Sequence, residues 1–221
     1  MIKKARNIVL IIGFIILGLS SSYAQFGFGL RIGGASTSLT GVGANMEEFR
    51  PEPKLKLVAG GVINYSFGRR IALQTEILYS GKGSAMKYYY QDDVLRGEVS
   101  LDLRLGYLAV PLIFQFKMGD RDNYFHFDAG IVFNQLVHTK YTGTILAEDD
   151  KGNKVDQIFE LDAEPNAQDF GYTLGIGLVA NGLLFDFSYE IGARDVYPST
   201  TDGLNIRNRS FKVSIGYIFK Y

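Results

Sequence analysis

From residue 25 onward the chain alternates: apolar residues take turns with small or polar ones over eight segments, and no stretch keeps a helical period. A period of two belongs to strands with chemically different faces, so the fold is all-β. Phe26, Phe28, Leu30 and Ile32 interleave with Gly27, Gly29, Arg31 and Gly33. Leu55, Leu57, Ala59, Ile63, Tyr65 and Phe67 oppose Lys56, Gly60, Asn64 and Ser66; Ile71, Leu73, Ile77 and Tyr79 oppose Gln74, Glu76 and Ser80. A fourth segment sets Leu101, Leu103, Leu105 and Tyr107 against Asp102 and Arg104. A fifth sets Phe125, Phe127, Ala129, Ile131 and Phe133 against His126, Asp128, Gly130 and Asn134. The last three are the cleanest. Phe170 to Leu178 alternates with Gly171, Thr173, Gly175 and Gly177, Phe185 to Ile191 with Asp186, Ser188 and Glu190, and Phe211 to Tyr221 with Lys212, Ser214, Gly216 and Lys220.

One segment slips phase. After Tyr107 the apolar set moves to even positions (Leu112, Phe114, Phe116), with Pro111 inside the change. A one-residue insertion flips every later side chain, and proline cannot donate to a ladder, so a β-bulge is expected between Tyr107 and Pro111.

A soluble barrel also alternates, so the deciding question is which set faces out. The polar set is Gly, Ser, Thr and Asn with a few charges of both signs, a composition that suits a cramped interior. The apolar set is large, aromatic and almost uncharged. Placed outward it forms the lipid-facing band of a transmembrane barrel, whose closure leaves no strand edge unpaired in hydrocarbon. The connections agree. Gly68-Arg69-Arg70, Gly119 to Asn123 and Asn181-Gly182 are short, while Ser38–Lys54, Gly81–Gly97, Lys140–Asp169 and Ala193–Arg207 are long. Short and long alternate strictly. The expected fold is therefore an eight-stranded antiparallel up-and-down transmembrane β-barrel, with short periplasmic turns, long extracellular loops and outer-membrane lipid around it.

The two ends carry targeting signals. Lys3, Lys4 and Arg6 precede an apolar run from Ile8 to Leu19, and Ser20 to Ala24 closes it with small residues. These are the parts of a secretory signal peptide, and the run is too short to span a bilayer as a helix. Residues 1–24 are expected to be cleaved after Ala24, leaving 25–221 as one barrel domain. Loss of three basic residues leaves 20 Lys and Arg against 23 Asp and Glu, a net charge near −3 that argues against a nucleic-acid partner. No cysteine is present, which excludes disulfides and a lipidated cysteine. At the other end, Gly216, Phe219 and Tyr221 fit the terminal strand pattern read by the outer-membrane barrel assembly machinery, an expected partner.

The blocks Leu73-Gln74-Thr75-Glu76-Ile77-Leu78-Tyr79-Ser80-Gly81-Lys82-Gly83 and Tyr107-Leu108-Ala109-Val110-Pro111-Leu112, with Gly216-Tyr217-Ile218-Phe219, resemble the PorT-like outer membrane protein β-barrel family. The resemblance spans nearly all the mature chain. It implies a small OmpA-like eight-stranded barrel in the cell outer membrane and says little about activity. The namesake branch belongs to a secretion apparatus; no residue here assigns the chain to it.

Parity supplies the candidate site residues. Arg31, Lys56, Arg104 and Lys212 face inward against Glu76, Asp102, Asp128, Asp186 and Glu190, nearly balanced signs that suit ion pairs filling a lumen. The alternative is a charged ring in a narrow pore or transport-associated barrel. His126 and His138 are the two histidines and fall on the inward parity of one strand if its phase holds. A lipid-modifying barrel needs a rim histidine with a serine and a carboxylate, so no catalytic set is expected. Two histidines twelve positions apart cannot share a metal, and Glu148 to Lys154 fails the calcium-loop pattern, so no metal or cofactor is expected either. Lys151-Gly152-Asn153 reads as a hairpin tip between strands Tyr141–Leu146 and Val155–Leu161, and Tyr88-Tyr89-Tyr90 as a membrane-interface belt or an exposed partner-binding cluster. The functional expectation is a structural or interaction barrel, not an enzyme, with an envelope protein as a candidate partner.

Overall fold

The structure, a computed structural model, describes residues 25–42, 50–91, 95–149, 154–159, 165–197 and 205–220. Ten strands are formed among them. They are β1 (Gln25–Val42), β2 (Arg50–Ser66), β3 (Ile71–Lys82), β4 (Ser84–Gln91), β5 (Leu95–Gly119), β6 (Asn123–Asp149), β7 (Lys154–Phe159), β8 (Gln168–Ala180), β9 (Leu183–Gly192) and β10 (Asn205–Lys220). Eight of them close a ring. β1 pairs with β2 on one side and β10 on the other, and the circuit runs through β3, β5, β6, β8 and β9, antiparallel at every step. The two extra strands lie on the far side from the short turns. β4 continues β3 past Gly83 and pairs with β2 and β5, and β7 folds back on β6.

The alternation expected on seven of the segments maps onto the wall. Leu30, Phe125 and Leu174 stand outward with 68%, 61% and 63% of their surface exposed, while Val62, Gln74, His126 and Asp186 on neighbouring strands are buried inside. At the tight turn, Asn181 (φ 49°) and Gly182 (φ 87°) both take left-handed backbone, the two-residue hairpin that follows the twist of its flanking strands.

Two expectations fail, and for one reason. β5 carries no bulge between Tyr107 and Pro111: Leu103, Leu105, Tyr107, Ala109, Pro111, Ile113, Gln115 and Lys117 all face inward in unbroken phase. What changes along β5 is the environment. Below Tyr107 the outside is apolar and the interior mixes polar groups such as Gln115 and Lys117 with small apolar layers; above it, leucines face in and Arg104 faces out. The inserted residue lies on the neighbouring strand, where Gly106 faces His138, Tyr107 faces Leu136, and Val137 is left over. That insertion turns His138 outward, against the Tyr79 ring, and brings Tyr141 inward.

The long connections are also shorter than expected, because the strands run on above the membrane. β5 and β6 have 25 and 27 residues, where about 9–11 cross a bilayer. The hairpin foreseen around Lys151–Asn153 is present as β6 paired with β7, Glu148 facing Lys154; its tip lies outside the described residues, as do residues 1–24 and Tyr221.

Candidate functional site

Inside the ring, charged side chains are stacked in tiers between apolar layers. The upper tier joins five strands. Glu190 on β9 receives Lys82 at 2.5 Å, Lys212, and the Asn134 amide at 3.0 Å; Lys82 also reaches Asp169 at 3.4 Å, which accepts from Asn208 at 2.9 Å. The Lys82 ammonium lies 5.1 Å from the Tyr107 ring centroid, so the tier abuts the aromatic layer above it. In the middle tier Arg31 on β1 forks to Glu76 and, at 3.0 Å, to Asp186, while Gln74 donates to Glu76 at 2.6 Å. His126 Nδ1 lies 2.9 Å from Asp128 Oδ1 and 3.4 Å from the Gln115 amide. Below this, Lys117 donates to Ser66 at 2.8 Å and Asn64 at 3.2 Å, with the Tyr124 ring 4.7 Å away.

Glycines make room for these groups. A Cβ on Gly177 would sit 2.3 Å from His126 Nε2, and one on Gly216 would sit 3.0 Å from Arg31 Cβ and 2.5 Å from the Leu30 carbonyl. Bulky polar groups therefore oppose bare backbone across the wall, which is how a narrow barrel holds an arginine and a histidine without splaying its strands.

Of the inward charges named from parity, Arg31, Glu76, Asp128, Asp186, Glu190 and Lys212 lie in these tiers. Two do not. Arg104 faces outward, 58% exposed at its side chain, and pairs with Asp102 on its own strand. It belongs to the stretch where inside and outside have exchanged chemistry. Lys56 is half-buried beside Asp102, Arg104 and Lys54, away from the lumen acids. Sequence reasoning also missed Lys82 and Asp169, placed at the ends of expected loops, and Lys117, whose inward parity was visible beside Phe116 but was not used. Gly216 and Phe219 lie on β10, Phe219 outward against Phe28 with ring centroids 5.3 Å apart. Tyr88 to Tyr90 sit in β4, nine to eleven positions beyond Tyr79, about 3.3 Å of strand for each. Their side chains lie outside the described residues, and with them the reading as an interface belt or a partner-binding cluster.

The upper mouth is closed by protein. Leu39, Leu103, Leu105, Tyr107 and Ile206 form an apolar core with Val196, supplied by a strap of residues 193–197 after β9. The strap is pinned at several points: Val196 N to Ile206 O and Asn166 N to Val196 O, each 2.7 Å, Asn166 Nδ2 to Asp195 O at 2.9 Å, and the Tyr197 hydroxyl to the Tyr141 hydroxyl at 3.0 Å. Burial pushes the pKa of the Tyr197 hydroxyl up, and that of Tyr141 as well. At the opposite end a vestibule of about 740 Å³ opens between the short turns, lined by Asn64, Ser66, Lys117, Tyr124, Phe67 and Ile218. An enclosed space of about 20 Å³ lies in mid-lumen beside Arg31, Glu76, Asp128, Asp186 and Lys212.

A closed antiparallel ring, apolar and aromatic outside and polar within, with all its tight turns at one end, defines an integral outer-membrane β-barrel. The family described as outer membrane protein beta-barrel domain matches residues 20–197, and the chain belongs to it. Its location is the outer membrane of the Gram-negative cell envelope. Among solved structures the chain is similar to Ail, the attachment invasion locus protein of Yersinia pestis, at 13% identity and TM-score 0.36, covering 87% of this chain and 98% of that one. It is similar to Neisserial surface protein A at 11% identity and TM-score 0.40, covering 87% and 97%. It is also similar to the N-terminal β-barrel domain of Pseudomonas aeruginosa OprF at 12% identity and TM-score 0.32, covering 86% and 97%. No curated protein matches the chain.

Proposed function

We propose that this barrel is a sealed structural or interaction protein of the outer membrane, acting through the sheet it raises above the lipid, and is neither a pore nor an enzyme. The observation that carries this reading is the filled lumen: three tiers of bonded polar groups, apolar layers between them, and a strap of protein over the mouth. Opening a conducting path would require breaking buried ion pairs, each strongly unfavourable to separate. In support of the interaction role, β5 and β6 run far beyond the membrane-spanning length and hold a paired extracellular sheet with β4 and β7. The expected partner is another envelope protein.

His138 is the group an enzyme reading would use, since it faces outward near the upper edge of the apolar band. Its ring stacks on Tyr79, whose hydroxyl lies 3.4 Å from Nε2. A phenol supplies neither the carboxylate that orients a catalytic histidine nor the nucleophile it would activate. The purified barrel in a planar bilayer should be electrically silent; steady conductance would sink the sealed-barrel reading.

Export and assembly complete the proposal. Cleavage after Ala24 delivers the chain, and the assembly machinery reads Gly216, Phe219 and Tyr221. Replacing Phe219 and Tyr221 with alanine should then leave export intact and abolish outer-membrane insertion. Normal surface levels of the double variant would show the terminal pattern to be incidental.

A further inference from the structure

The lumen tiers differ in their charge balance. In the upper tier two lysines, Lys82 and Lys212, meet two acids, Asp169 and Glu190. In the middle tier Arg31 pairs with Glu76 and Asp186 while Asp128 lies against His126, so with a neutral imidazole, the form that ligates, two negative charges are left over among buried side chains. Isolated buried carboxylates are unfavourable and call for a cation or a proton.

Where the surplus lies, the donors converge. His126, Asp128 and Asp186 each offer one ligand atom, and these atoms lie within 4.8 Å of one another. His126 is 1% exposed and Asp186 3%, yet Asp186 Oδ2 and His126 Nε2 have no hydrogen-bond partner. Arg31 holds the other oxygen, Asp186 Oδ1, which leaves Oδ2 to be used. Asp128 and Asp186 also line the enclosed 20 Å³ space, with Thr173, Ser188 and Ser214 beside them. His126 stands outside that lining, so the space gives room on the carboxylate side of the cluster, enough for one water-sized occupant at roughly 10–15 Å³.

We infer that His126, Asp128 and Asp186 form a buried site for one divalent cation of the zinc class. One imidazole nitrogen and two carboxylates are an N/O donor set that suits zinc; calcium and magnesium prefer oxygen alone. A charge of +2 cancels the surplus. Bonds of about 2.0–2.2 Å require the three donors to close up, with the Asp186 carboxylate turning about the oxygen that Arg31 holds. Arg31, which holds Asp186 Oδ1, then acts as the outer group that orients a ligand. The cation would enter from the vestibule, whose wall includes Lys117, the cross-strand neighbour of His126.

The test uses the untagged barrel, folded in detergent, loaded with Zn²⁺ and desalted. Wild type should retain about one zinc per chain, and its thermal unfolding midpoint should rise with Zn²⁺ and fall back with EDTA. Asp128→Asn preserves shape and leaves both Arg31 pairs intact, so heat-modifiable gel mobility should report a folded barrel; its zinc affinity should drop about 10–100-fold or more. His126→Gln should behave alike, and His138→Gln should bind as wild type does. The inference fails if wild type retains no zinc, if Mg²⁺ gives the same shift, if folded Asp128→Asn binds undiminished, or if His138→Gln abolishes binding.

Discussion

The membrane section of the barrel and the section above it share the same strands and the same alternation, yet they are inside out with respect to each other. On β5, Phe114 and Phe116 face lipid while Gln115 and Lys117 face the lumen; ten residues earlier, Leu103 and Leu105 face the interior while Arg104 meets water. The β5 strand keeps its phase through the crossing, and the one inserted residue, Val137, lies on β6. A period of two specifies that two faces differ, and the solvent outside decides which face takes the apolar set. Hydrocarbon demands polar-in below; water demands apolar-in above. The upper section is accordingly a small soluble sheet with a core of its own, standing on a barrel built by the opposite rule.

Four substitutions can break or sharpen that contrast. Glu190→Leu should have the largest effect, because it strands Lys212 and Asn134 in the lumen and leaves Lys82 with Asp169 alone; a cost of about 3–5 kcal/mol is expected by reversible unfolding in lipid. A neutral result would mean that those lysines reach water and the mouth is not closed. Next comes Ile215→Lys on the outward face in mid-membrane, about 2–4 kcal/mol, against about 0–1 kcal/mol for Ser36→Lys at the upper edge of the same face. Equal costs would erase the boundary drawn between the sections. Arg104→Leu should change stability by less than about 0.5 kcal/mol, since an exposed pair with Asp102 is worth little. If it rivals Glu190→Leu in the same assay, Arg104 is a lumen residue after all.

How far the sequence could be read follows from the same contrast. Where one rule held over a whole segment, as on β1, β8, β9 and β10, inward and outward residues were legible from parity, and Arg31, Asp186, Glu190 and Lys212 were found that way. Where the rule inverted within a segment, parity with a single outside misassigned Arg104 and invented a bulge at Pro111. The true insertion, Val137, carries no proline or glycine to mark it, and only the paired register reveals it. Lys82 and Asp169 were hidden because strand continues where loop composition was expected. The meeting of His126 with Asp186 was illegible for a different cause. It depends on ring closure bringing β6, β8 and β9 into register, His126 beside Gly177 and Gly177 beside Asp186, and local spacing holds no trace of it.

The strap over the mouth has a consequence for the direction of traffic. In the sealed barrel proposed above, with Val196 seated in the upper core and the vestibule open below, the lumen would be a blind alley that exchanges with the periplasm alone. Protons, water and small ions presented at the cell surface meet a closed door; those on the inner side meet Lys117 first, then His126, and the Lys82 tier last. The wall is close to symmetric from end to end, but its interior has a front and a back, set by five residues that follow β9.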